Sequence, residues 1–206
     1  AWEAAVEAAL AAPLPPTPAE PSAPVDVPEE PPLAHAAPPL SSSLGLVEEL
    51  LAREPWQLLV ACLLLNRTGR VVVDRLLAPF FRRWPSPAAL LGADPSELEV
   101  PLASLGLQCK RSRMLLRFSR EYLEAVAEEG EPLPLARLRR LHGVGRYAQD
   151  AHEIFSRAAP PGTVRPTDVY LGWFVEYQQE AVASGAGQPA LELCGDFGAA
   201  RIRGDA

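Results

Sequence analysis

The chain predicts an all-α domain. Over residues 44–183 apolar side chains recur at three- and four-residue spacing, and no window shows sustained period-two alternation between hairpin turns. The breaks fall at Ser-Pro, Asp-Pro and glycine positions, which start or stop helices.

Leu46, Val47, Leu50 and Leu51 recur at helical spacing, so folded structure is expected to begin near Leu44. Pro55 opens a second helix, residues 56–65, which is apolar on nearly every side and should therefore be central and buried. It ends in Asn66-Arg67-Thr68-Gly69, a polar turn that carries an arginine to the surface. Residues 71–84 form an amphipathic helix with Val72, Val73, Leu76, Leu77, Phe80 and Phe81 inward, and Pro79 should disturb its ladder or mark a kink. Ser86-Pro87 and Asp94-Pro95 predict two short helices, the second with the capping-box pair Asp94 and Glu97. Leu105-Gly106-Leu107 is a small turn that presents an apolar residue. Leu115, Phe118, Tyr122 and Val126 make the inner stripe of a helix over 110–129, stopped by Gly130. Pro134 opens a helix running to Arg140, and residues 146–155 form another with Ala148, Ala151 and Phe155 on one face. A proline and glycine break at 160–166 precedes a last helix, 168–183, with Asp168 at its start.

Between the helices ending at Arg140 and starting at Arg146 lies Leu141-His142-Gly143-Val144-Gly145-Arg146-Tyr147. A Gly-x-Gly turn at a helix start brings backbone N–H groups close to an anion, because glycine has no Cβ and the helix N-terminus carries partial positive charge. Such a turn also serves as a plain helix cap.

Residues 1–43 hold eleven of the 23 prolines, six acidic residues and no Lys or Arg, a composition expected to be a disordered tail because it cannot offset its ordering entropy by burial. The formal charge of −7 argues against DNA binding at first sight. The tail supplies most of it, leaving 19 basic against 20 acidic groups over residues 44–206. Basic residues cluster at Lys110, Arg111, Arg113, Arg117 and Arg120, and again at Arg137, Arg139, Arg140 and Arg146. These clusters are either phosphate-binding faces or solvated helix faces. Cys62, Cys109 and Cys194 are widely separated, which suggests a reducing compartment and no disulfide framework, and His35, His142 and His152 form no metal constellation. No run is long enough for a membrane helix, and no basic-apolar secretory leader is present. No function is assigned to residues 184–206.

The glycine turn and the aspartate downstream resemble the helix-hairpin-helix DNA glycosylases. More narrowly, Pro55-Trp56, Leu63-Leu64-Leu65-Asn66-Arg67-Thr68-Gly69, Leu105-Gly106-Leu107, the 141–147 hairpin and Pro166-Thr167-Asp168 resemble, in order and spacing, the catalytic domain of the methyl-CpG-binding mismatch thymine glycosylases. The resemblance implies two helical lobes with the active site between them and a monomer acting in the nucleus on double-stranded DNA that carries a mispaired pyrimidine. It implies that His142, Gly143, Val144, Gly145 and Arg146 grip the DNA backbone, that Arg67 and Leu107 intrude into the duplex, and that Tyr147 and Glu48 line the base pocket. Glu48 stands where that family usually has glutamine, which leaves the base preference open. No cofactor is required on this reading. The resemblance adds a monovalent cation at the hairpin carbonyls, and the iron-sulfur cluster of some relatives is not expected, since only Cys194 lies in the cluster region.

Cleaving an N-glycosidic bond requires a group that stabilises an oxocarbenium-like sugar and activates water, and a carboxylate does both. Asp168 is the candidate; without the resemblance it reads as a helix cap. Lyase members of the superfamily attack the sugar with a lysine in the hairpin region, where this chain has Tyr147, and the single lysine is Lys110. The expected activity is monofunctional removal of thymine or uracil mispaired with guanine in base-excision repair. The alternatives are a non-catalytic DNA-binding scaffold and a glycosylase for another damaged pyrimidine.

Overall fold

The computed structural model describes Ser42 and residues 44–184. Apart from Ser42 and Ser184, the expected tails at 1–43 and 184–206 lie outside the described residues, as does Cys194. The described residues are helical and contain no strand. The helices are α1 Val47–Leu50, α2 Pro55–Leu65, α3 Arg70–Arg83, α4 Pro87–Leu91, α5 Pro95–Leu102, α6 Gln108–Glu129, α7 Leu135–Leu138, α8 Arg146–Ala151 and α9 Val169–Ala183. A 3-10 turn, Ala103–Leu105, precedes α6, and a π-helical turn, His152–Ser156, continues α8.

The organising element is α2. Its apolar run, broken only by Gln57 near the start, leaves no polar face, and Leu58, Leu59, Val60, Ala61 and Leu64 are fully buried. Two groups of helices meet on it: α3 and α6, the latter packed by α4 and α5, and then α1, α8 and the π turn. The Phe155 and Phe174 rings, 4.6 Å apart, join α9 to the π turn. No described helix is long and apolar enough to cross a membrane.

Several local expectations are corrected. Val72, expected inward on α3, is exposed, while Pro79 sits inside that helix on its exposed face, where its missing N–H removes one ladder bond without ending the helix. Asp94 caps α5, but the capping box does not close because Glu97 pairs with Arg83 at 3.1 Å. The helix expected from Pro134 to Arg140 is the short α7; Arg140 and Leu141 then bond three residues back, to Arg137 and Leu138, in the tighter turn that enters the hairpin. Structure also starts earlier than Leu44: the Glu49 carboxylate accepts from Ser42 Oγ at 2.7 Å and from Leu46 N at 3.1 Å, tying the chain down as it enters α1.

Candidate active site

A cavity of about 610 Å³ opens beside the hairpin, within the roughly 300–1,000 Å³ common for small-molecule sites. Its lining comes from segments far apart in sequence. Glu48 is supplied by α1, Cys62 by α2, Arg67 by the turn after α2, Arg70 by α3, Gly145 and Tyr147 by the start of α8, and Asp168 and Tyr170 by the start of α9. The burial of α2 makes this convergence possible, because α1, α3 and α8 pack on it, the Arg67 turn leads from it, and α9 packs on the π turn that continues α8.

Asp168 is both a helix cap and a cavity residue. Its Oδ1 accepts from Tyr170 N at 3.0 Å and Leu171 N at 3.1 Å, which satisfies two of the orphan donors of α9 and holds the carboxylate in place. No described residue donates to Oδ2. A carboxylate fixed through one oxygen leaves the other to face a developing positive charge.

Glu48 is almost fully buried rather than a surface residue of a shifted helix. Its Oε1 accepts from the Tyr147 hydroxyl, and its Oε2 lies 3.5 Å from Arg70 Nη2. Burial, reinforced by Cys62, Glu48 and Asp168 nearby, raises the Tyr147 pKa well beyond its ordinary range, so the phenol stays protonated and donates to Glu48. Burial raises the Cys62 thiol as well, with Glu48 adding to it, and keeps it neutral.

At the hairpin, Gly143 has φ +83°, and a Cβ there would sit 3.0 Å from Leu63 Cδ2. Glycine is required both for the left-handed backbone and for close approach to α2. The N–H groups of the turn are partly committed: His142 N donates to Glu121 Oε2 at 2.6 Å and Val144 N to Leu141 O at 3.2 Å. Those of Gly143, Gly145 and Arg146 donate to no described residue and remain for an anion. The Arg146 side chain is exposed and lies along the surface of the fold; its Nε pairs with Asp150 at 2.8 Å and its Nη2 reaches Arg165 O at 3.3 Å. It therefore braces the segment that delivers Asp168.

Arg67 and Leu107 are both exposed and left-handed, with φ 57° and 55°. Between their turns lies Arg111, which is buried and not part of a phosphate-binding face. Its Nε donates to Gly106 O at 3.0 Å, Nη1 to Leu64 O at 3.2 Å, and Nη2 to Asn66 O at 3.4 Å and to Thr68 Oγ1. Residue-by-residue reading missed Arg111, Arg70 and Glu121. Arg111 was findable, since it lies four residues before Leu115 and thus on the inner stripe of α6.

Leu141 O accepts from Val144 N, and Val144 O and Gly145 O accept from the side chain and backbone of Gln149 in α8, which leaves each carbonyl a second lone pair. Neutral oxygens of this kind suit a weakly held monovalent cation.

No family model matches the chain. It is 32% identical over 139 residues to a methyl-CpG-binding domain protein 4-like protein of Arabidopsis thaliana, a match covering 68% of this chain and 29% of that protein. It is 34% identical over 94 residues to a thymine-DNA glycosylase of Aeropyrum pernix and 37% identical over 98 residues to a thymine/uracil-DNA glycosylase of Pyrobaculum aerophilum. These two matches cover 46% and 47% of this chain, and each spans 42% of the relative. The chain thus spans less than half the length of each of these relatives. Among solved structures it is similar to a thermostable thymine-DNA glycosylase, with TM-score 0.49 and 23% identity over 55% of this chain and 52% of that one. It is also similar to a trapped endonuclease III–DNA covalent intermediate, with TM-score 0.48 and 20% identity over 61% of this chain and 66% of that one.

Proposed function

We propose that this chain, which belongs to the helix-hairpin-helix DNA glycosylase superfamily, is a monofunctional DNA N-glycosylase that removes thymine or uracil mispaired with guanine. The observation that carries this reading is the convergence of Asp168, Glu48 and Tyr147 on one cavity beside a glycine turn with free N–H groups. The hairpin N–H groups hold a phosphate, Arg67 and Leu107 fill space in the duplex, and the pyrimidine turns out into the cavity, a step that costs less for a mispaired base. As the glycosidic bond breaks, its electron pair leaves with the base. Asp168 Oδ2 stabilises the cationic sugar and takes a proton from the water that adds to C1′; the departing base anion gains a proton from solvent, and an abasic site remains. The carbonyls of Leu141, Val144 and Gly145 would hold a monovalent cation, which would supply positive charge at the hairpin.

No lysine lines the cavity, which supports hydrolysis rather than a Schiff-base lyase step. Borohydride treatment during turnover is accordingly expected to trap no covalent enzyme–DNA adduct.

Single-turnover assays on G·T and G·U duplexes test the reaction. Asp168→Asn keeps an oxygen for the cap but removes the charge, and is expected to slow base release by roughly 10²–10⁴-fold. A parent that releases no base from any lesion duplex points to the second reading, a DNA-binding scaffold in which Asp168 is only the α9 cap. An active parent matched by the Asn variant would instead remove Asp168 from the chemistry.

A further inference from the structure

A buried carboxylate on the wall of a base pocket raises a problem of complementarity. A carboxylate accepts hydrogen bonds but donates none. Tyr147 has one hydroxyl proton, and it is directed to Glu48 Oε1. Neither side chain therefore offers a donor to a ligand. Uracil and thymine present an N3–H with a carbonyl on each side, so a pocket that reads two adjacent positions needs one acceptor and one donor.

Arg70 supplies the missing donor. It lines the same cavity, its Nη2 is 3.5 Å from Glu48 Oε2, and it is anchored by Gly45 O at 3.2 Å and by Asp74 Oδ2 at 3.5 Å from Nε. Among the described residues its Nη1 has no hydrogen-bond partner. We propose that Glu48 and Arg70 read the extruded pyrimidine as a unit, with Glu48 Oε2 taking the N3–H and the Arg70 guanidinium donating to the neighbouring carbonyl oxygen. The guanidinium also offsets the repulsion between a carboxylate and that carbonyl. This inference rests on the glycosylase reading. It makes the importance of Arg70 depend on residue 48: an amide there would accept and donate alone, and the cation would become redundant.

The test is a two-by-two set, parent, Arg70→Met, Glu48→Gln and the double variant. Two readouts are used: single-turnover excision from a G·U duplex, and affinity for a duplex with non-hydrolysable 2′-fluoro-deoxyuridine opposite guanine. Arg70→Met is expected to weaken both by roughly 5–100-fold with Glu48 present and by less than about threefold in the Glu48→Gln background. A duplex with a tetrahydrofuran abasic analogue has no base to read, and Arg70→Met should change its affinity less than about twofold. An equal loss in both backgrounds, an equal loss on the baseless duplex, or no loss with Glu48 present would overturn the pairing. The binding arm also separates the two readings. A parent that excises nothing yet prefers the fluorinated G·U duplex over G·C, through Arg70, would keep the pair and remove the catalysis. A parent with no such preference removes the pair.

Discussion

His152 is wholly buried in the π-helical turn, and among the described residues neither of its ring nitrogens has a hydrogen-bond partner. Burial, with a smaller contribution from Arg157, lowers its pKa from 6.5 to about 4. Between those two values the unfolded chain binds a proton that the folded chain does not, so stability rises with pH across this window. The full contribution is present above pH 6.5, and about 3 kcal/mol of it is lost by pH 4. Urea midpoints measured at pH 7.5 and pH 5 should show the loss in the parent and a flatter profile in His152→Leu. Identical slopes in the two proteins would exclude His152 as the source. The same residue shows where sequence reading stops: a histidine between Ala151 and Glu153 carries no mark of total burial, because burial is decided by how the π turn packs on α2.

At the scale of the element, the turns after α2 and before α6 behave as one piece because a single buried cation joins them. The Arg111 guanidinium serves carbonyls at the C-terminal end of α2, which its charge and donor geometry suit. Arg111→Met leaves those carbonyls unpaired and is expected to cost about 2–4 kcal/mol of stability. It should also reduce base extrusion, read from 2-aminopurine fluorescence next to the mismatch, because Arg67 and Leu107 lose their common anchor. A variant within about 0.5 kcal/mol of the parent, with unchanged fluorescence, would mean that the two turns hold themselves. Helix order, the burial of α2 and the inner stripe of α6 were legible, since each is written in periodicity. The destination of Arg111 was obscured by its neighbours Lys110 and Arg113, which make it look like part of a charged face. The pairing of Glu48 with Tyr147, 99 residues apart, has no local signature at all.

For the whole molecule, the formal charge of −7 is a poor guide to DNA binding, since between Leu44 and Ser184 basic and acidic side chains are equal in number. What matters is how many cations stay uncommitted. Arg117 pairs with Glu121 at 2.8 Å, Arg137 with Glu128 at 2.8 Å, and Arg146 with Asp150, so both basic clusters are partly spent inside the fold. Arg140 enters the hairpin exposed, and no acidic side chain pairs with it among the described residues. With phosphate contacts confined to the hairpin, a log–log plot of affinity against salt should have a shallow slope, about −3 for three or four phosphate contacts. Arg140→Gln is expected to reduce that slope by about 1 on matched and mismatched duplexes alike, whereas Arg137→Gln should leave it unchanged. Anisotropy titrations between roughly 50 and 200 mM salt would decide, on the order of a tenfold to hundredfold range in affinity at this slope. A slope steeper than about −6, or a loss on Arg137→Gln equal to that on Arg140→Gln, would mean that the internal pairs open on DNA. Phosphate binding would then be distributed over both clusters rather than focused at the hairpin.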